Sequence, residues 1–201
     1  KSCAFNCIYK KAKESFLASN EGVTNFPYFL AETQYSGKIT PREILVIDEA
    51  HNVDSELSKF IEITISDKFC KSFLNTKIPN NMTQNQYTIW IRDQYLATAA
   101  KKLSHLEKMM EKYVGLKEKI RSGEFASVAK KFEMLDKHVC KVRRFLELYN
   151  NQNWVMNDLP ADKFSDRKLQ FKPIDISPYS EEMLYRFGRN VILMSATILD
   201  R

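Results

Sequence analysis

The sequence predicts an α/β fold: a parallel sheet interrupted by a large, mainly helical insertion. Three observations predict it. Two apolar runs, Ile44-Leu45-Val46-Ile47 and Val191-Ile192-Leu193-Met194, are too short for helices and rich in branched side chains. Between them lies a long, glycine-poor, lysine-rich stretch whose apolar residues recur at heptad spacing. The two runs end in Asp48-Glu49 and in Ser195-Ala196-Thr197, and two parallel strands would bring those residues to one edge of the same sheet. Open α/β sheets bind ligands at that edge.

Taken in order, "YKKAKESFLAS" (9–19) reads as a helix, and "GVTNFPYFL" (22–30) as a short extended piece turning into another helical start. Pro41 precedes the first apolar strand, which reads as buried. "FIEITIS" (60–66) alternates like a short extended element, and Ser66 suits the N-cap of a helix through about Leu74. Residues 77–88, with Pro79 and paired Asn, read as a loop. From Ile89 to about Arg121, Leu96, Leu103 and Met110 share one heptad position, and Ala99, Leu106, Tyr113 and Ile120 the other. Ser122-Gly123 breaks the pattern. A second run repeats it, with Phe125, Phe132, Val139 and Leu146 at one position and Val128, Leu135, Val142 and Tyr149 at the other. Two matched runs across a short break predict an antiparallel helical hairpin.

Composition bounds the function. At 201 residues and 44% hydrophobic, the chain can bury a core of one or two domains. The formal charge is +6 with a pI near 9.0. Residues 91–150 hold fourteen Lys or Arg against eight Asp or Glu, so the hairpin carries the whole excess. Those charges are either a solvated helix face or a surface for nucleic acid phosphates. No run of eighteen apolar residues occurs, so no membrane span is expected. The chain starts at Lys1, which suggests a piece of a longer protein. Four cysteines without framework spacing suggest an intracellular setting, cytoplasmic or nuclear.

The chemistry concentrates in Asp48-Glu49-Ala50-His51. A carboxylate beyond a strand's carboxyl end can hold a hard cation such as Mg²⁺ beside a nucleotide phosphate. A second can orient or deprotonate the attacking water. This is the Walker B arrangement, written DEAH. The competing reading is a helix N-terminus with acids in its first turn.

"ILVIDEAHNVD" (44–54), "VILMSATI" (191–198) and "NCIYKKAKESFLASNEGVTNFPYFL" (6–30) together resemble the XPD/DinG family of superfamily 2 DNA helicases, the iron–sulfur helicases. "FKPIDISPYSEEMLYRFGRN" (171–190) is similar to that family's lead-in to its Ser-Ala-Thr strand. The resemblance implies a fragment of the first RecA-like domain of a P-loop NTPase, over residues 1–55 and 173–201. The end of the iron–sulfur region would fall at 1–8, and a helical arch-like insertion at 56–172. It further implies that Asp48 binds the Mg²⁺ of Mg-ATP and that Glu49 positions the hydrolytic water. His51, Ser195 and Thr197 would couple nucleotide state to DNA. Asn25 and Tyr28 would lie near single-stranded DNA, although core packing explains those aromatics equally well. Independently of the resemblance, the basic residues off the apolar stripes, among them Lys101, Lys102, Lys130, Lys131, Arg143 and Arg144, are candidates for contact with DNA phosphates.

Cys3 and Cys7 resemble the third and fourth ligands of the family's [4Fe–4S] cluster, although the family more often has proline where Ile8 stands. The other two ligands would lie upstream, so no intact cluster is expected in this chain. Cys70 and Cys140 read as small hydrophobes that cannot replace the missing ligands. No G-x-x-x-x-G-K-[ST] loop occurs and a second RecA-like domain is missing, so the chain alone is expected to be inactive as an ATPase. The parent protein would be an ATP-dependent helicase moving 5′ to 3′ on single-stranded or forked DNA, with protein partners able to use the arch. The alternatives are a non-catalytic helical docking module on an ATPase remnant, and an RNA-directed DEAH helicase.

Overall fold

The computed structural model describes residues 7–114, 116 and 123–196. The chain divides into two compact units, Lys1–Phe60 with Asp175–Arg201, and Ile61–Ile174.

In the first unit, α1 (Ile8–Ala18) buries none of its residues. Helix α2 (Phe26–Ala31) starts at Asn25, whose Oδ1 accepts the Tyr28 N–H at 2.9 Å. It runs on into a wider π-helical turn, Glu32–Ser36, and stops at Gly37, where φ is 61° and a left-handed residue is needed. Strand β1 (Arg42–Ile47) leads through a 3₁₀ turn, Ala50–Asn52, into α3 (Val53–Ile61). That helix buries Val53, Leu57 and Ile61, one stripe at four-residue spacing.

The second unit opens with β2 (Ile63–Ser66), in which Ile63 and Ile65 are buried and Thr64 is not. The strand is shorter than the alternating run at 60–66, because Phe60 and Ile61 complete α3. Ser66 Oγ accepts the Phe69 N–H at 3.1 Å, capping α4 (Asp67–Phe69), which widens into a π-helical turn as far as Leu74. The predicted loop at 77–88 is partly helical. Thr83 and Gln86 form a reciprocal capping box that starts α5 (Gln84–Trp90) five residues before the predicted Ile89. A π-helical turn, Ile91–Tyr95, joins it to α6 (Leu96–Val114). Helix α7 (Glu124–Leu148) packs back against α6, forming the hairpin, and Ile120 lies outside the described residues.

The hairpin seam is unevenly buried, with Leu96, Leu103, Met110, Phe125 and Phe132 only half-buried. Val128, Leu135, Val139 and Val142 are buried as the repeat predicts, but near the end of α7 it is Phe145 that is fully buried, while Leu146 is half-buried. Phe145 lies about 100° around α7 from Leu146, off the line of Val128, Leu135 and Val139, so a surface other than that seam buries it. Cys70 is fully buried as expected. Cys140 is not, and lies on the exposed side of α7.

Phe145 reaches a sheet that periodicity did not reveal. Strands β3 (Trp154–Leu159) and β4 (Lys168–Pro173) join β2 in an antiparallel sheet of order β2-β4-β3. Trp154, Leu169 and Phe171 close the core with Phe145, whose ring lies 5.1 Å from Trp154 and 4.9 Å from Phe171. The insertion is therefore a helical hairpin on a small sheet.

The chain returns to the first unit through α8 (Ser177–Met183) and a 3₁₀ turn, Tyr185–Phe187, into β5 (Gly188–Leu193). Strand β5 runs parallel to β1, with Ile44 opposite Asn190 and Val46 opposite Ile192. A Cβ at Gly188 would sit 2.4 Å from the Leu45 Cβ, so glycine is what lets the chain approach β1 there. These strands are less buried than predicted. Ile44 is 56% exposed and Val46 52%, because no layer covers that face of the two-stranded sheet among the described residues. The fold is mixed α/β, with one two-stranded parallel and one three-stranded antiparallel sheet.

Candidate functional site

The carboxyl edge of the β1–β5 sheet gathers the chemistry-bearing residues. Strand pairing continues past the strands: the Met194 N–H donates to the Ile47 carbonyl at 2.9 Å, and the Ala50 N–H to the Met194 carbonyl at 2.8 Å. This ladder carries Ser195 alongside His51, and Ser195 Oγ lies 2.7 Å from His51 Nδ1. The same nitrogen lies 3.2 Å from Glu49 Oε2. A carboxylate only accepts, so this contact favours the tautomer with its proton on Nδ1. Two residues 144 apart in sequence thus share one hydrogen-bond network with the acid next to Asp48.

Local backbone aims the acids. Glu49 is left-handed, with φ 51° and ψ 44°, a conformation that costs a non-glycine residue on the order of 1–2 kcal/mol. The left-handed residue ends the extended run of β1, and the 3₁₀ turn begins at Ala50. Asp48 Oδ1 accepts the Glu49 N–H at 2.9 Å, leaving its other oxygen for a cation. The acids are exposed, as a site meeting a charged ligand requires. Thr197 lies outside the described residues.

The remaining predicted site residues fall elsewhere. Asn25 is a helix cap. Tyr28 is half-buried, edge-on to Phe16 with ring centroids 6.3 Å apart, and its phenol is pushed up first by burial and then by the Glu32 charge. Glu32 is buried, paired to Lys13 and bonded to Ser36, and those partners hold its carboxyl below the usual range against the opposing effect of burial. Composition did not single out this buried acid; an i,i+4 Glu–Ser pair beside a lysine helix was its only signal. Cys7 is the N-cap residue of α1, and Cys3 lies outside the described residues. Among the described residues no group of three or more His, Cys, Asp or Glu could hold a metal ion.

On α7 the four arch residues do not form one patch. At 100° per residue, Lys130 and Arg144 lie within about 40° of each other, whereas Lys131 and Arg143 point well away from that line. The coherent stripe is Lys130, Lys137 and Arg144, at seven-residue spacing opposite the buried seam. Lys137 was missed because adjacent basic pairs catch the eye in sequence, while a helix face skips them. Within the stripe, Lys137 Nζ also pairs with Glu133 at 2.6 Å.

No helix among the described residues is long and apolar enough to cross a membrane. No protein-family model matches this chain, and no curated protein is significantly similar to it.

Proposed function

We propose that the chain is part of an ATP-dependent DNA helicase of the XPD/DinG type, with β1 and β5 as adjacent strands of a RecA-like sheet. The observation that carries this reading is the His51–Ser195 contact of 2.7 Å beside Glu49, at the carboxyl edge of two parallel strands. Mg²⁺ bound with ATP would neutralise phosphate charge as the terminal phosphoryl leaves. Asp48 would hold that ion through its outer oxygen. Glu49 would orient and deprotonate the attacking water, with His51 Nδ1 keeping its carboxylate in place. Any displacement of Glu49 on hydrolysis would pass through His51 to Ser195, and so to the segment after β5.

In this reading the basic stripe of α7 contacts single-stranded or forked DNA, the arch also offers a surface to protein partners, and the setting is intracellular. Cys3 and Cys7 are its cluster cysteines.

In the full-length protein, Glu49→Gln should lower DNA-stimulated ATP turnover by at least a hundredfold while nucleotide affinity stays within a few-fold, since Asp48 still holds the ion. Hydrolysis at the wild-type rate in that variant would refute the role given to Glu49.

A further inference from the structure

The opposite end of the same sheet carries a feature that the helicase reading does not use. We propose that Arg42, Arg186 and Arg189 form a binding site for a phosphate group at the amino-terminal end of β1 and β5. A cavity of about 350 Å³ is lined there by Pro41, Arg42, Glu43, Arg186 and Arg189. Three guanidinium groups against one carboxylate leave two positive charges on the lining. Arg42 and Arg189 sit on opposite faces of paired strands, because Arg42 lies opposite Gly188 while Glu43 neighbours Arg189. Gly188, opposite Arg42, cannot carry a side chain, because a Cβ there would meet Leu45.

Each arginine is oriented but not consumed. Arg42 spends one N–H on the Ser19 carbonyl. The Arg186 guanidinium lies 5.1 Å from the ring centroid of buried Phe187, a cation–π contact that holds the planar group without using its donors. Arg189 Nη1 lies 3.2 Å from Glu43 Oε2, with the Arg189 side chain 78% exposed. The larger cavity of the second unit, about 570 Å³, makes the contrast. Its Arg167 donates to Asp158, Asn80, Tyr87 and the carbonyls of Ile78 and Pro79, so no N–H remains for a ligand. Arg167 is a structural clamp, whereas the cluster at Arg42 has donors to offer.

A phosphate suits that cluster. Three guanidinium groups line this one cavity, and arginine binds phosphate through paired N–H donors. The phosphate could belong to a nucleic acid backbone or to a small free phosphate. With five residue steps along β1, the site lies roughly 17 Å from the Asp48 edge. It does not depend on nucleotide hydrolysis there.

The test titrates the chain with inorganic phosphate by calorimetry and with a fluorescent oligothymidylate by anisotropy at several salt concentrations. Arg186→Gln with Arg189→Gln leaves the Arg42–Ser19 bond intact. It should weaken at least one probe tenfold or more, with an unchanged circular dichroism spectrum. If the backbone is the source, the oligonucleotide arm moves and its log–log salt slope falls by about 1.4, two contacts at about 0.7 each. If free phosphate is the source, only the calorimetric arm moves. Glu43→Gln removes the competing carboxylate and should tighten the responding probe at least twofold, a gain that no misfolded variant would give. Unchanged affinity of both probes in the double variant, or weakening in Glu43→Gln, would overturn the assignment.

Discussion

Acidification should destabilise the second unit through His138 before its carboxylates begin to titrate. His138 lies on α7 with Nε2 2.8 Å from the Tyr95 hydroxyl and its ring 4.4 Å from that of Phe69. Burial pushes its pKa down from 6.5 to about 4, and the neighbouring Lys141 charge adds to the effect. Burial also holds the Tyr95 phenol protonated, so Tyr95 can donate to a neutral Nε2. Protonating that nitrogen would turn the acceptor into a second donor in a site facing Phe69 and Lys141. Below pH 6.5 the unfolded chain takes up this proton and the folded chain does not, until about pH 4. The stability tied to neutral His138 is therefore complete above pH 6.5 and is lost as pH falls. Each pH unit in the window costs about 1.4 kcal/mol, so roughly 3 kcal/mol disappears between pH 6.5 and pH 4.

The depressed carboxyls, among them Asp158, Asp162 and Asp166, have ordinary values of 3.8 and take their toll lower down. The interval from pH 6.5 to 5 therefore isolates the histidine, with about 2 kcal/mol at stake. Urea unfolding followed by the fluorescence of buried Trp90 and Trp154 reports on this unit. His138→Gln should be less stable than the parent at pH 7, yet lose the slope between pH 6.5 and 5. If parent and variant show the same slope there, His138 is not held neutral and the reasoning fails.

Two further outcomes follow from packing and helix geometry. Phe145→Ala removes a fully buried ring that touches Trp154 and Phe171, and should cost about 3–5 kcal/mol in the same unfolding assay; a loss under 1 kcal/mol would mean that the hairpin is not seated on the sheet. Neutralising Lys130, Lys137 and Arg144 to Gln should flatten the salt dependence of single-stranded DNA binding in the full-length protein by about 2 on the log–log scale, while Lys131→Gln with Arg143→Gln should do less. Equal effects from both sets would show that helix face does not matter.

What could be read from the sequence was whatever depends on local pattern. The branched apolar runs before Asp48 and Ser195 identified two strands, and heptad spacing identified α6 and α7, because periodicity reports which face of an element avoids water. The Ser66 cap was legible for the same reason: a side chain bonding three residues ahead is a local event. The Thr83–Gln86 capping box was equally local but hidden by the polar composition of residues 77–88.

Tertiary structure decided the rest. Only parallel pairing, through Met194 and Ala50, sets Ser195 against His51, and no spacing in the chain encodes a contact across 144 residues. The left-handed turn at Glu49, the seating of Phe145 on the β2-β4-β3 sheet and the full use of Arg167's donors likewise depend on partners distant in sequence. The basic stripe needs no distant partner, since the 3.6-residue turn of α7, and not adjacency in the chain, determines which lysines and arginines act together.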